Sequence, residues 1–538
     1  MSLLLTIQNP QGETIQLFEP GRTLLDLLAT GGVKLDSACD GNGSCGKCLV
    51  KVKPSHPLPL TESECRLLSP VQQHEGWRLA CQIKPTCNLT ISVSRPQQQT
   101  VWRDLRADEF YSDFNPASTA CLQLTHSQHK PTYGVAIDLG TTHIRLSLWN
   151  LLTRTRLAGR ACLNPQITFG ADVLTRLTAA ERNAENSKAL AELVENVIAY
   201  ALTDISQTCK LKLSDIHLIY LVGNTAMLAL LSQQNAILLL QPEYWTQRLP
   251  VQPQNLNHLR GLWGLSAKSD IRFLKPLGGF IGSDLVAGVV ATQLISQPPG
   301  TLLIDFGTNS EMALWDGQKL WVTSTAGGPA FEGYGMQCGM PGEAGAIYRV
   351  YQDADESLKF SVLSDLPARG ICGSGLVDLI AWLRSSGKLD ALGRFQPQYR
   401  SGFQLLATQP ELCIKPVDID SFQRAKAAIG AGITWLCQRS GISLSSLTQV
   451  YACGAFGHLL DVENSIAIGL LPAIAPENIH LEGNTALAGC EMLMTSQNSQ
   501  TVFDSLLETA IMHNLAEDSD FEMLFIENLY LQPIEQVA

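Results

Sequence analysis

The chain has 538 residues, 45% apolar and 16% charged, enough for roughly three or four globular domains and too apolar for extensive disorder. A net charge of −12 supplies no general basic field, which argues against a nucleic-acid partner. No apolar run reaches the roughly 18 residues of a membrane span and MSLLLTIQNPQG lacks a basic n-region, so the expectation is a cytoplasmic protein, without membrane association, whose fifteen dilute cysteines are mostly reduced.

In residues 1–95, LLLTIQ and ETIQLF flank NPQG as a hairpin, TLLDLLATGG reads as a helix closed by glycines, and CLVKVK and LTISVS add strands. Within this small α+β unit, CDGNGSCGKC places Cys39, Cys45 and Cys48 at C-x5-C-x2-C spacing, and Cys81 follows in WRLACQ. Thiolates converging from one compact loop plus a more distant strand suit a [2Fe–2S] cluster, and Gly41, Gly43 and Gly46 let the loop wrap closely and turn N–H groups toward sulfur. A structural zinc site more often repeats a short C-x2-C pair, and only one is present here. Cys65 and Cys87 lack the glycine-rich surroundings and read as ordinary thiols.

The motif SACDGNGSCGKCLV with RLACQ resembles the ligand loop and fourth-ligand strand of plant- and adrenodoxin-type ferredoxins. That resemblance implies a β-grasp domain carrying a one-electron [2Fe–2S] centre. Residues 96–130 then turn polar and broken and read as a linker with a short helix and one strand; His126 and His129 within it read as polar residues and not as metal ligands.

At YGVAIDLGTTHIRLSLWN an apolar strand ends in Asp-x-Gly-Thr and a second strand follows; TLLIDFGTNSEMALWDG repeats this pattern 167 residues later, from Asp138 to Asp305. The repeat predicts a duplicated α/β fold closing on a cleft, with halves at 131–296 and 297–500 and a C-terminal extension at 501–538. KALAELVENVIAYALTDI, AKAAIGAGITWLCQRSG and GNTALAGCEMLM supply helices of period three to four. In such turns the glycine allows close approach, hydroxyls face phosphate oxygens and the aspartate holds Mg²⁺ through water or positions a nucleophile. The candidate phosphate residues are Asp138, Gly140, Thr141 and Thr142 in the first turn and Asp305, Gly307, Thr308 and Asn309 in the second. VYACGAFGHLLD adds Gly454, Ala455 and Gly457 between a strand and a helix, where a flat base or ribose can approach the backbone.

Three further features stay open at this level. Gly373, Ser374 and Gly375 suit either a nucleotide or a closely packed helix start, Asp284 either a kinase-like base or a helix cap, and the glycine- and proline-dense loop 324–346 either the cleft or a partner surface.

In their order these elements resemble the phosphate-1, phosphate-2 and adenosine motifs of the acetate and sugar kinase, heat-shock chaperone and actin superfamily, which implies an actin-like (ribonuclease H-like) ATPase binding ATP and Mg²⁺. NPQITFGADVLTRL, LVGNTAMLALL, IGSDLVAGVVAT, STAGGPAFEGYGMQCGMPGEAGAI, GICGSGLVDLIAWL, GAFGHLLDVENSIAIGLLP and EGNTALAGC narrow the likeness to the ATP-dependent reductive activators of corrinoid-dependent methyltransferases. That resemblance implies the whole order of ferredoxin domain, linker and duplicated ATPase, and reduction of a corrinoid protein from Co(II) to Co(I). It also implies a corrinoid-protein partner, a low-potential electron donor and a homodimer. The alternative is a small-metabolite kinase with a redox-sensing [2Fe–2S] domain.

Overall fold

The computed structural model describes residues 3–9, 12–31, 33, 35, 41–43, 46, 48–54, 58–68, 70–93, 102–105, 132–327, 329–333, 336, 338–353, 358–406, 408–409, 412–496 and 498–534. Cys39, Cys45, His126 and His129 lie outside these residues.

The N-terminal hairpin forms as expected, with β1 (Leu3–Asn9) antiparallel to β2 (Gly12–Phe18). β3 (Leu49–Pro54), β4 (Trp77–Leu79) and β5 (Leu89–Ser92) complete a five-stranded sheet of order β2-β1-β5-β3-β4, in which β5 runs parallel to β1. The helix Leu24–Thr30 begins at a capping box between Thr23 and Asp26. Its buried Leu24, Leu27 and Leu28 pack with Leu5, Ile7, Val50 and Ile91, giving the mixed sheet and packed helix of a β-grasp domain.

Two six-stranded sheets follow, built on one plan. In the first, β6 (Arg103–Asp104), β7 (Tyr133–Leu139), β8 (His143–Asn150), β9 (Thr155–Leu163), β10 (Ile216–Gly223) and β11 (Asp270–Phe273) take the order β11-β10-β7-β8-β9-β6. The second contains β12 (Thr301–Asp305), β13 (Ser310–Trp315) and β14 (Leu320–Thr325). After a small sheet of β15 (Ala346–Gln352), β16 (Leu358–Val362) and β17 (Gly370–Ile371), and a hairpin of β18 (Phe403–Gln404) and β19 (Cys413–Ile414), it resumes with β20 (Gln449–Cys453), β21 (Ile479–Leu481) and β22 (Ala510–Met512). Its order is β21-β20-β12-β13-β14-β22.

In each sheet a three-stranded antiparallel meander is extended by two parallel strands on the side of its first strand. The two Asp-x-Gly-Thr turns join the first two strands of the two meanders, so the internal repeat seen in the sequence is the repeat of the fold. Both faces of these sheets are covered, which explains why β7, β10 and β12 read as near-continuous apolar runs.

The long helices Ala184–Thr208 and Pro416–Ser440 cover the outer faces. Between the sheets, the helices Ser283–Ala291 and Thr485–Thr495 pack on each other in a third core that draws Ala136 and Val222 from one sheet and Leu303 and Ala313 from the other. They approach so closely that a Cβ on Gly489 would stand 1.8 Å from the Ala287 carbonyl oxygen. Each follows the last parallel strand of its half, and their sequences, GSDLVAG from Gly282 and GNTALAG from Gly483, are a second internal repeat.

The chain after residue 500 is built into the second half. β22 pairs with β14, and the buried Lys426 ammonium donates to the carbonyls of Asn528 (2.7 Å) and Tyr530 (2.6 Å). Residues 102–105 of the expected linker join the first sheet at its edge. Among the described residues no helix is long and apolar enough to cross a membrane.

Candidate functional site

The two Asp-x-Gly-Thr turns face each other: the hydroxyl oxygens of Thr142 and Thr308 are 3.3 Å apart. A cleft of about 660 Å³ opens around them. The first turn lines it with Asp138, Gly140, Thr141 and Thr142, the second with Asp305, Gly307, Thr308 and Asn309. Two buried side chains brace the first turn: Arg176 donates to the Thr141 carbonyl (2.7 Å), and Asn164 donates to that of Gly140 (2.9 Å). Both belong to the stretch NPQITFGADVLTRL, whose part in the site is to hold the turn's backbone.

Four carboxyl groups gather at the floor, Asp138, Asp284, Asp305 and Glu311. Asp138 accepts from Asn484 Nδ2 at 2.6 Å and stands 3.8 Å from Arg145. Glu311 accepts from the Gly282 N–H and from Asn224 Nδ2, each at 3.4 Å, so a carboxylate of the second half is held by donors of the first. Burial raises all four carboxyls above the ordinary carboxylate range. Asp284 is pushed up to about 8 by burial and then by the charges of Asp305 and Asp138. Asp305 rises to about 6 by burial and the charge of Asp138, with Arg145 opposing. Neighbouring carboxylates add to burial at Asp284, Asp305 and Glu311, but among the described residues no group of three or more His, Cys, Asp or Glu side chains is placed to hold a metal ion.

Gly454 lines the cleft with φ +89°, and a Cβ there would stand 2.7 Å from the Phe306 carbonyl oxygen. Gly457 is not among the lining residues; it faces inward, where a Cβ would meet the Ala452 backbone at 2.9 Å. Ala455 belongs to the same turn of helix, Gly454–Gly457. Gly373 and Ser374 do line it, and a Cβ on Gly373 would clash with the Phe331 carbonyl at 2.2 Å and with the Phe456 ring at 2.8 Å. Close packing and cleft access therefore both demand that glycine.

Sequence reasoning missed Arg145, Asn224, Glu311, Phe456 and Asn484. Two of them carried a legible signal. Glu311 stands two residues past Asn309, and Asn484 is the second residue of the second copy of the GSDLVAG/GNTALAG repeat.

In the N-terminal domain Cys48 and Cys81 are buried side by side, with the Cys81 N–H 3.5 Å from Cys48 Sγ. Gln82 Nε2 reaches both Cys81 Sγ (3.5 Å) and the Gly41 carbonyl (3.2 Å), tying the glycine loop to the turn that follows β4. Gly41, Gly43 and Gly46 all have positive φ, and a Cβ on Gly43 would run into the Gln82 amide at 2.6 Å. The strand before Cys81 is stapled by a buried ion pair, Arg78 to Glu64 at 2.8 Å, whose carboxylate also accepts from the Leu79 N–H at 3.0 Å. Two buried adjacent thiols beneath a tightly wrapped glycine loop fit the soft donor set an iron–sulfur cluster needs. Cys65 is exposed and Cys87 half-buried.

Comparison with known proteins places three family models on the chain: the 2Fe-2S iron-sulfur cluster binding domain over 7–86, the RACo middle region over 133–297 and the C-terminal ASKHA domain of RACo over 300–537. The corrinoid activation enzyme RamQ of Eubacterium limosum is 28% identical over 94% of this chain and 95% of its own length. A [Co(II) methylated amine-specific corrinoid protein] reductase of Methanosarcina barkeri is 26% identical over 70% of this chain and 72% of its own. Among solved structures, a reductive activator for a corrinoid, iron-sulfur protein covers 99% of both chains with a TM-score of 0.65 at 23% identity, which establishes a common fold.

Proposed function

The chain belongs to the RACo family, and on that premise we propose that it is an ATP-dependent activator that reduces a corrinoid protein from Co(II) to Co(I), one electron at a time, through a [2Fe–2S] cluster. The observation that carries this reading is the presence in one chain of two opposed Asp-x-Gly-Thr turns, 3.3 Å apart at Thr142 and Thr308, and of the buried Cys48–Cys81 pair. The names of the two full- and partial-length relatives, a corrinoid activation enzyme and a Co(II) corrinoid protein reductase, support the same substrate class.

Cys39, Cys45, Cys48 and Cys81 are the proposed cluster ligands. When bound, the cluster supplies one-electron transfer and ATP a phosphoanhydride whose binding and cleavage can be tied to conformation. The chain's own residues do the rest. Thr141, Thr142, Thr308 and Asn309 present hydroxyl and amide groups to the phosphates, and Gly454 lets the adenosine moiety approach the backbone. Asp138 and Asp305 are the proposed Mg²⁺ residues, directly or through water; a cation there would offset the burial that raises both carboxyls and the Asp138 charge that adds to the rise at Asp305.

The energetic need for ATP follows from potentials. A plant-type cluster sits near −400 mV, and reducing a Co(II) corrinoid whose axial ligand stabilises that state is more demanding. Nucleotide can drive the step only by binding more tightly to the state of the complex in which that ligand is lost. A separate low-potential donor then refills the cluster.

The test is reconstitution. Purified protein, a Co(II) corrinoid protein, a low-potential reductant and MgATP should give the Co(I) absorption spectrum, with little or none when ATP is omitted. No Co(I) with any of several corrinoid proteins would overturn the proposal, and a phosphorylated small molecule formed in proportion to ATP consumed would favour the kinase alternative.

A further inference from the structure

The short strand β6 and its flanking residues, Trp102–Leu105, dock on the edge of the ATPase sheet and place an arginine in the nucleotide cleft. Hydrogen bonds, strand pairing, an ion pair and apolar packing seat this segment. The Trp102 indole N–H donates to the Val197 carbonyl (2.9 Å), and the Leu105 N–H to that of Gly159 (3.3 Å). Arg103 pairs with Ala161 and Asp104 with Arg160 in the antiparallel ladder, and Arg160 also grips the Asp104 carboxylate at 2.5 Å. Leu105 is buried against Gly159, where any Cβ would collide with it.

The register decides which way Arg103 points. Asp138 lies opposite Arg145, Arg145 opposite Ala161, and Ala161 opposite Arg103, one row across β7, β8, β9 and β6. Residues directly opposite one another in a ladder share a face of the sheet. Arg103 therefore emerges on the face that carries Asp138 and Arg145, about 10 Å along the row from Arg145 at ordinary strand spacing. The small Ala161 leaves room between the two guanidinium groups. Arg103 lines the cleft, with its Nη1 donating to the Asp104 carbonyl at 3.1 Å. Trp102 and Asp104 take the opposite face, toward the helix Ala184–Thr208.

We infer that Arg103 is a nucleotide-binding residue contributed by the segment between the domains, and that bound phosphate holds this segment seated on the sheet edge. The inference rests on the ATP reading above and adds to it a regulated tether. Only eight residues separate Val93, at the end of the cluster domain, from Trp102. A chain of that length spans at most about 30 Å. With β6 docked the end of the cluster domain is held within that reach of Trp102 at the sheet edge; with β6 released, the tether lengthens by the residues before Tyr133. Because coupling is reciprocal, nucleotide must protect β6 by the same factor by which a docked β6 tightens nucleotide.

The test uses the full-length, cluster-loaded protein, with AMP-PNP and ADP in the presence of Mg²⁺ titrated calorimetrically into wild type, Arg103→Gln and Arg103→Lys. Loss of a charge-assisted hydrogen bond to phosphate should weaken binding about tenfold or more in R103Q, with partial recovery in R103K. Hydrogen exchange at 102–105 separates contact from mere structural support. The inference expects exchange in nucleotide-free R103Q to match wild type and the nucleotide-dependent protection to be lost. Equal affinity in R103Q and wild type would overturn it, and so would faster exchange in nucleotide-free R103Q with protection by nucleotide retained. Failure of wild type itself to bind either nucleotide would overturn the ATP reading instead.

Discussion

Asp284 shows how one side chain serves two descriptions that a sequence keeps apart. It occupies the first turn of the helix Ser283–Ala291, where its carboxyl accepts from the Leu285 N–H at 3.0 Å, and it lines the cleft beside Asp138, Asp305 and Glu311. Its pKa of about 8 lies above the ordinary aspartate value because burial and two neighbouring carboxylates penalise the charged form. The folded, nucleotide-free protein therefore keeps a proton between about pH 4 and pH 8 that the unfolded chain has released, and its stability falls as pH rises through that window. Asp284→Asn removes the titration. The thermal midpoint of the nucleotide-free variant should decline less steeply than wild type between pH 5 and pH 8, with a gap of a few degrees in favour of the variant at the upper end. Parallel midpoint curves measured by calorimetry would contradict this. The motif GSD was visible in the sequence, but its three carboxylate neighbours come from β7, β12 and β13, and only folding brings them within range.

At the scale of elements, the contact between the helices Ser283–Ala291 and Thr485–Thr495 joins the two halves and sets the cleft geometry, since their N-terminal turns carry Asp284 and Asn484. Close approach depends on Gly489. Its replacement by Ala puts a methyl group 1.8 Å from the Ala287 carbonyl oxygen, where the obstacle is backbone and cannot rotate away. Overpacking of this kind costs about 1–3 kcal/mol, and G489A should lower both the unfolding midpoint and nucleotide affinity. Gly261→Ala is the matched control: that helical glycine has nothing within 4 Å of its Cβ position, so the change should be neutral or slightly stabilising. Equal effects of the two substitutions in calorimetry would show that the helix contact is not what orders the cleft. The apolar periodicity of both helices was legible beforehand. Their mutual packing was not, because periodicity says which face of a helix is buried and not what buries it.

The whole molecule separates electron carriage from nucleotide binding. Cys48 lies in the N-terminal core with Leu79 and Val50, whereas the cleft is lined by the two ATPase halves. Cys48→Ser should abolish the visible absorption of the cluster and Co(I) formation while leaving nucleotide binding in place. At a ligand concentration of 100 times Kd, binding stabilises the folded state by about 2.7 kcal/mol, and the variant should show that thermal shift undiminished. Loss of both properties would mean that the cluster domain and ATPase fold as one cooperative unit.

Much of this was written in the order of residues. Local signals sufficed for the iron-sulfur domain as a unit, the duplicated Asp-x-Gly-Thr turn, and the apolar runs of strands covered on both faces. Tertiary structure decided what depends on register and long-range approach. Arg176 props the Thr141 carbonyl from 35 residues away, Asn484 reaches Asp138 across 346, and Arg103, in a stretch that reads as a broken linker, falls into line with Arg145 and Asp138 once β6 pairs with β9. A sequence specifies turns and buried faces through nearest-neighbour chemistry. Which side chains share a row of a sheet is settled only when strands distant in the chain choose their partners.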